Sequence, residues 1–242
     1  MKHCTRQDTP RWERRKEDRP QEILCAAVQV FGEKGFACAK LEEVAKKAGV
    51  SKGTVYLYYP NKEELLKSVV REYVSPIVNT VRAEQSQQQN QSCAAQIEHA
   101  IWQWWQKYGS TELSAITKLI LNESASFPEL GRFFYEEVIR AWWIYLQEIL
   151  DKGVKSGEFS PIDTEYAAKV LCSPLVTLAV WKRSMDVCCD THTDPQRYIK
   201  AHVQWCFMGC NPKHPPNRNH TARFGRIWPY PRQTPAKAPH GL

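Results

Sequence analysis

One glycine between two short helical stretches limits what this chain can become more than any other feature. Leu41, Val44, Ala45 and Ala48 recur at helical spacing and predict a short amphipathic helix over 41–48. Gly49 stops it, Ser51 offers an N-cap, and a second short helix follows over 52–59 until Pro60-Asn61 breaks it. Two short helices joined at Ala48-Gly49-Val50 form a helix-turn-helix candidate. The first braces the second, whose N-terminal residues then meet base edges in a DNA major groove.

The flanking sequence is helical too. Pro20 opens a helix, since its missing N–H would be unpaired there anyway, and Ile23, Leu24, Ala27, Val28 and Phe31 form its apolar stripe. Gly32 and Gly35 are expected to end it. Asn61 is expected to cap a long fourth helix, with Glu63 and Glu64 in the first turn where the helix dipole favours them, and Pro76 to bend it. Beyond a polar linker at 85–91, helices are expected over 92–108, 112–126, 128–156, 163–188 and 194–209. No stretch alternates with period two long enough to argue a sheet, so the expected class is all-α. The expected organisation is a basic flexible arm at 1–19, a helix-turn-helix domain at 20–62, a helical regulatory and dimerisation domain at 63–209, and a disordered, basic, proline-rich tail at 210–242.

Charge follows these divisions. The net +7 of the 242 residues comes from the two ends: 1–19 carries +3 and 211–242 carries +6, with −2 between them. Overall basicity is therefore poor evidence for nucleic acid. Within the body, however, 20–62 is +2 and 63–210 is −4, a basic head on an acidic body. No run of 18 apolar residues exists, and the first twenty residues have no apolar core of a secretory signal. A cytoplasmic protein without a membrane partner is expected, its nine irregularly spaced cysteines reduced.

The chemistry-bearing residues cluster at the helix-turn-helix. Ser51, Lys52, Gly53 and Thr54 open the second helix, where backbone N–H groups attract phosphate and Gly53 permits close approach. Tyr56 and Tyr58 can offer hydroxyls to the phosphodiester backbone, and Lys62 can neutralise a phosphate. Val55 and Tyr59 share one face and are expected in the core. With Phe31-Gly32-Glu33-Lys34-Gly35-Phe36, Leu41-Glu42-Glu43-Val44-Ala45, Ala48 through Tyr56, and Tyr59-Pro60-Asn61-Lys62-Glu63 in place, the stretch 23–62 resembles the DNA-binding domain of TetR-family transcriptional repressors. The resemblance implies an Ω-shaped homodimer that binds a short palindromic operator and releases it when a small molecule enters the C-terminal domain. It also implies DNA contacts at Lys52, Gly53, Thr54, Tyr56, Tyr58 and Lys62. Lys40 departs from the pattern: it stands where the family has a capping Ser or Thr. It cannot cap as an acceptor but could still reach phosphate.

The C-terminal region is rich in aromatics, with Trp102, Trp104, Trp105 and Tyr108 on one predicted helix and Trp142, Trp143 and Tyr145 on another. An aromatic-lined cavity for an apolar or planar cationic effector is expected, formed by Trp102, Trp105, Tyr108 and Trp142, with Asn122 and Glu123 as polar orienting groups. Ordinary core packing would use the same residues. The family resemblance places the dimer interface on the helices 163–188 and 194–209. No catalytic motif is present, so neither an enzyme nor a cofactor is expected. Cys188, Cys189, His192, Cys206, Cys210 and His214 lack the spacing of a zinc site, so no metal is expected. The alternative function is a small-molecule-binding protein in which the helix-turn-helix is only scaffold.

Overall fold

The computed structural model describes residues 18–86, 91–186, 188–189 and 193–210. The expected arm at 1–19 and tail at 210–242 lie almost wholly outside these. Among the described residues the fold is all-α, with no strand. The head holds α1 (Arg19–Cys38), α2 (Leu41–Ala48), α3 (Lys52–Tyr58) and α4 (Lys62–Val69). The body holds α5 (Pro76–Ser86), α6 (Cys93–Trp104), α7 (Ser114–Glu123), α8 (Pro128–Phe134), α9 (Arg140–Ser156), α10 (Thr164–Lys182) and α11 (Pro195–Cys210).

Local chemistry explains most boundaries. Gly49 takes the left-handed conformation (φ 69°) that ends α2. Ser51 Oγ accepts the Thr54 N–H at 3.1 Å, and Asn61 Oδ1 accepts the Glu64 N–H at 2.8 Å, so both expected caps form. Lys40 makes no side-chain cap; its backbone N–H instead reaches the Glu43 carboxylate at 3.4 Å. Only one of the two expected glycines breaks α1. Gly35 leaves helical geometry (φ 75°), while Gly32 stays helical and lets α7 approach: a Cβ there would meet Ala115 Cβ at 3.4 Å.

Three π-turns widen the helical ladder: Val70–Val74 and Tyr135–Ile139 join successive helices, and Trp105–Gly109 ends α6. The first is the expected effect of Pro76 in another form. Proline has no N–H for the carbonyl four residues back, so the ladder widens before it, and Ser75 N–H reaches Val70 O at 2.9 Å. Helix α10 ends at Lys182, six residues earlier than expected. There Lys118 Nζ donates to the Arg183 carbonyl at 3.0 Å, and the Arg183 guanidinium donates to Ser114 Oγ and the Thr111 carbonyl. One tertiary donor thus satisfies a carbonyl at the helix end and the Arg183 side chain ties that end to the start of α7, neither of which local sequence reveals.

One continuous apolar core runs from Ile23 in α1 to Val203 in α11. Helix α1 packs on both α2 and α7, so the head is seated on the body through its longest helix. The seat is pinned at one peptide unit. Ala37 N–H donates to Glu123 Oε1 at 3.4 Å, and the Phe36 carbonyl of the same peptide accepts from Lys62 Nζ at 2.8 Å. Beside it the buried Phe36 ring meets Phe127 edge-on, centroids 5.1 Å apart.

Candidate DNA-contact surface and effector cavity

Helix α3 turns Val55 inward, fully buried, with Tyr59 beside it in the core as expected. Its other faces are open. Ser51, Lys52, Gly53 and Tyr56 are exposed, and Thr54 and Tyr58 are half-buried. Lys52 Nζ lies 2.5 Å from Glu42 Oε1 and 5.5 Å from the centre of the Tyr56 ring. The hydrogen bond to Glu42 raises the Lys52 pKa and lowers that of Glu42, so both stay charged at neutral pH. The bridge is solvent-exposed, so a phosphate can replace it cheaply. The Thr54 hydroxyl is engaged with Ser51 Oγ at 2.8 Å. Tyr58 leans on the core, its ring 6.4 Å from that of Tyr59. Lys40 is exposed beside the start of α2.

Lys62 stands apart from this set. Its ammonium donates to the carbonyls of Phe36 and Ala37, at 2.8 and 2.9 Å, and lies 4.7 Å from the centre of the Phe36 ring. It therefore caps the C-terminal end of α1 from the start of α4, a structural task that the sequence reading did not assign to it.

The body contains a cavity of about 350 Å³ enclosed by α6–α10. Tyr108 and Trp142 line it as expected, together with Trp104, Phe134, Trp143 and Leu146. Trp102, Trp105, Asn122 and Glu123 do not. Ile101 and Trp104 of α6 and Tyr108 of the π-turn that follows it turn inward, and Trp102 falls beside them, half-buried. Trp105 opens the π-turn and packs towards Gly109: a Cβ there would fall 2.5 Å from its ring. It faces a second, more polar cleft between α1 and α7, as does the exposed Asn122. Glu123 is the group that holds the Ala37 peptide. The inward faces were legible in part, through the 101/104/108 and 138/142/146 spacings; the crowding of Trp102, Trp104 and Trp105 obscured which of the tryptophans faces inward.

The hydroxyls of the cavity-lining residues have partners within the protein: Ser124 donates to the Leu121 carbonyl and Ser173 to that of Lys169. Tyr108 Oη and Thr117 Oγ1 share a hydrogen bond, and burial pushes the Tyr108 hydroxyl pKa upward. Burial likewise pushes the Cys172 thiol up to about 12, leaving it neutral at physiological pH. The cavity thus offers apolar and aromatic walls with no charged group among its lining residues. Among the described residues no three His, Cys, Asp or Glu cluster closely enough to hold a metal ion, and no helix is long and apolar enough to cross a membrane. His192 and His214 lie outside the described residues.

Comparison with known proteins agrees with this architecture. Residues 23–69 match the tetR family of bacterial regulatory proteins, and residues 95–207 match the C-terminal domain of AefR-like transcriptional repressors. The chain belongs to the TetR family: it is a transcriptional regulator with a DNA-binding helix-turn-helix. The fatty acid metabolism regulator protein of Bacillus subtilis is 29% identical over 171 residues, covering 69% of this chain and 86% of that protein. The fatty acid degradation regulator FadR of Bacillus halodurans superposes with a TM-score of 0.67 at 27% identity, covering 79% of this chain and 99% of that one. FadR of Bacillus subtilis, solved in complex with stearoyl-CoA, shares the fold with a TM-score of 0.68 at 24% identity, covering 79% of this chain and 99% of that one.

Proposed function

We propose that this regulator is a homodimeric, cytoplasmic repressor that binds a palindromic operator through 20–62 and leaves it when an effector with an apolar tail, such as a fatty acyl group, enters the 63–209 domain. The observation that carries the effector class is the uncharged cavity of about 350 Å³ between Trp104, Tyr108, Phe134 and Trp142. Such walls favour hydrocarbon and offer no partner to a charge. The fatty acid regulators among its relatives support the same class. Lys40, Ser51, Lys52, Gly53, Thr54, Tyr56 and Tyr58 form the DNA-facing surface, and Lys62 serves it mainly by holding α1 to α4.

The coupling route follows from packing. Ile120, Leu121 and Ser124 line the cavity, and the same helix end holds Ala37 through Glu123. An effector that displaces the end of α7 moves the seat of the head, and with it the spacing of two recognition helices across the dimer. The test is selection of bound sequences from a random DNA pool at physiological salt, followed by titration of the bound operator with oleoyl-CoA and with free CoA. A palindromic consensus released by the acylated compound alone supports the proposal. Release by neither compound, or equally by both, refutes the apolar-tail effector; absence of enrichment by a folded protein refutes operator binding.

A further inference from the structure

Leu57 is a large apolar side chain left 80% exposed on a seven-residue helix whose inner face buries Val55 completely. Among the described residues little covers it. Gly53 lies four residues earlier, on the same face of α3. Glycine weakens a helix relative to alanine, yet the fold makes no demand for it here. Its φ is not positive, and a Cβ would meet only Ser51 Oγ, at an ordinary 3.8 Å. Two adjacent positions are thus unfavourable to the free protein, one bare and one apolar, and together they make a smooth uncharged strip along the outer face of α3.

Two of the polar groups that flank this strip have partners within the head. Lys52 pairs with Glu42 and stands over the Tyr56 ring, and the Thr54 hydroxyl is held by Ser51. In the major groove, sequence can also be read without hydrogen bonds, because thymine presents a C5-methyl group that cytosine lacks. We propose that Leu57 is a specificity-determining residue: it recognises a thymine in each operator half-site by packing on the thymine methyl, with Gly53 allowing the helix to approach closely enough. This rests on α3 being the element that enters the groove.

The test uses the full-length protein and the operator selected from a random pool. Each symmetric pair of thymines is replaced in turn by deoxyuridine, which removes the methyl and leaves base pairing intact. One pair should weaken wild-type binding by about fourfold per half-site, the worth of one buried methyl group. The same replacement should leave Leu57→Ala binding unchanged, because that variant has already lost the contact, while Leu57→Met should regain sensitivity. Circular dichroism confirms that the variants fold, as expected for so exposed a position. The inference is overturned if no thymine pair is methyl-sensitive, or if Leu57→Ala keeps the wild-type sensitivity. Failure to enrich any sequence would instead overturn the groove reading of α3, and this inference with it.

Discussion

Two lysines of the head, Lys52 and Lys62, look alike in sequence and do different work. Lys52 shares an exposed bridge with Glu42, so the carboxylate competes with phosphate for the ammonium. Glu42→Gln is expected to raise operator affinity by roughly two- to fivefold at low salt and to steepen its salt dependence. Fluorescence anisotropy over a salt series measures both, and an unchanged affinity would place Lys52 away from the backbone. Lys62 is committed to two carbonyls at the end of α1. Lys62→Met is expected to destabilise the protein by about 2 kcal/mol, since hydrogen bonds from a charged donor are among the stronger ones. Urea unfolding would show it; an unaltered midpoint would return Lys62 to a purely DNA-facing role. Sequence placed both charges correctly on the head. It could not show that α1 returns to meet Lys62, because that contact spans 26 residues.

Among elements, the caps were legible and the phases were not. Ser51, Gly49 and Asn61 act locally and did what their chemistry dictates. The aromatic helices were harder, because Trp102, Trp104, Trp105 and Tyr108 crowd one short stretch and adjacent ones point to different faces. Trp104 lies on the face that also carries Ile101 and Tyr108 and so lines the cavity, while its neighbours Trp102 and Trp105 do not. Two outcomes depend on this packing. Val176 lines the cavity, so Val176→Phe is expected to leave operator binding intact and to abolish release by an acyl effector, as read by a mobility-shift titration. Retained release would mean that the effector binds elsewhere. Gly153 lies beneath the Phe159 ring, where a Cβ would fall 2.2 Å from Cδ2. Gly153→Ala is expected to lose about 1–3 kcal/mol through overpacking, and thermal melting against wild type measures it.

For the whole molecule, α10 and α11 display large apolar residues that the described residues leave bare: Tyr166 at 62% exposure, Val170 at 59% and Trp205 at 77%. A second copy is the natural cover for such a face, and two half-sites require two heads. Trp205→Glu is expected to give a monomer by sedimentation and to lower operator affinity at least about a hundredfold through loss of the linked second head. A variant that stays dimeric would move the interface off α11. The fold class and the helix order were readable from periodicity alone. The seating of head on body was not, because it depends on Gly32 admitting Ala115 and on one side chain, Glu123, that looked like a ligand group.

That seating bears on how such regulators can be recombined. The Phe36–Ala37 peptide has its N–H held by the body and its carbonyl held by α4, and the Phe36 ring rests on Phe127. A chimaera that borrows its head from a relative and is spliced between 62 and 76 would keep Lys62 with its own α1 yet part that helix from its matched acceptor and ring. Heads would then be portable only together with the stretch 115–127. The unit of exchange is discontinuous in sequence, although the helix-turn-helix itself is a single uninterrupted run.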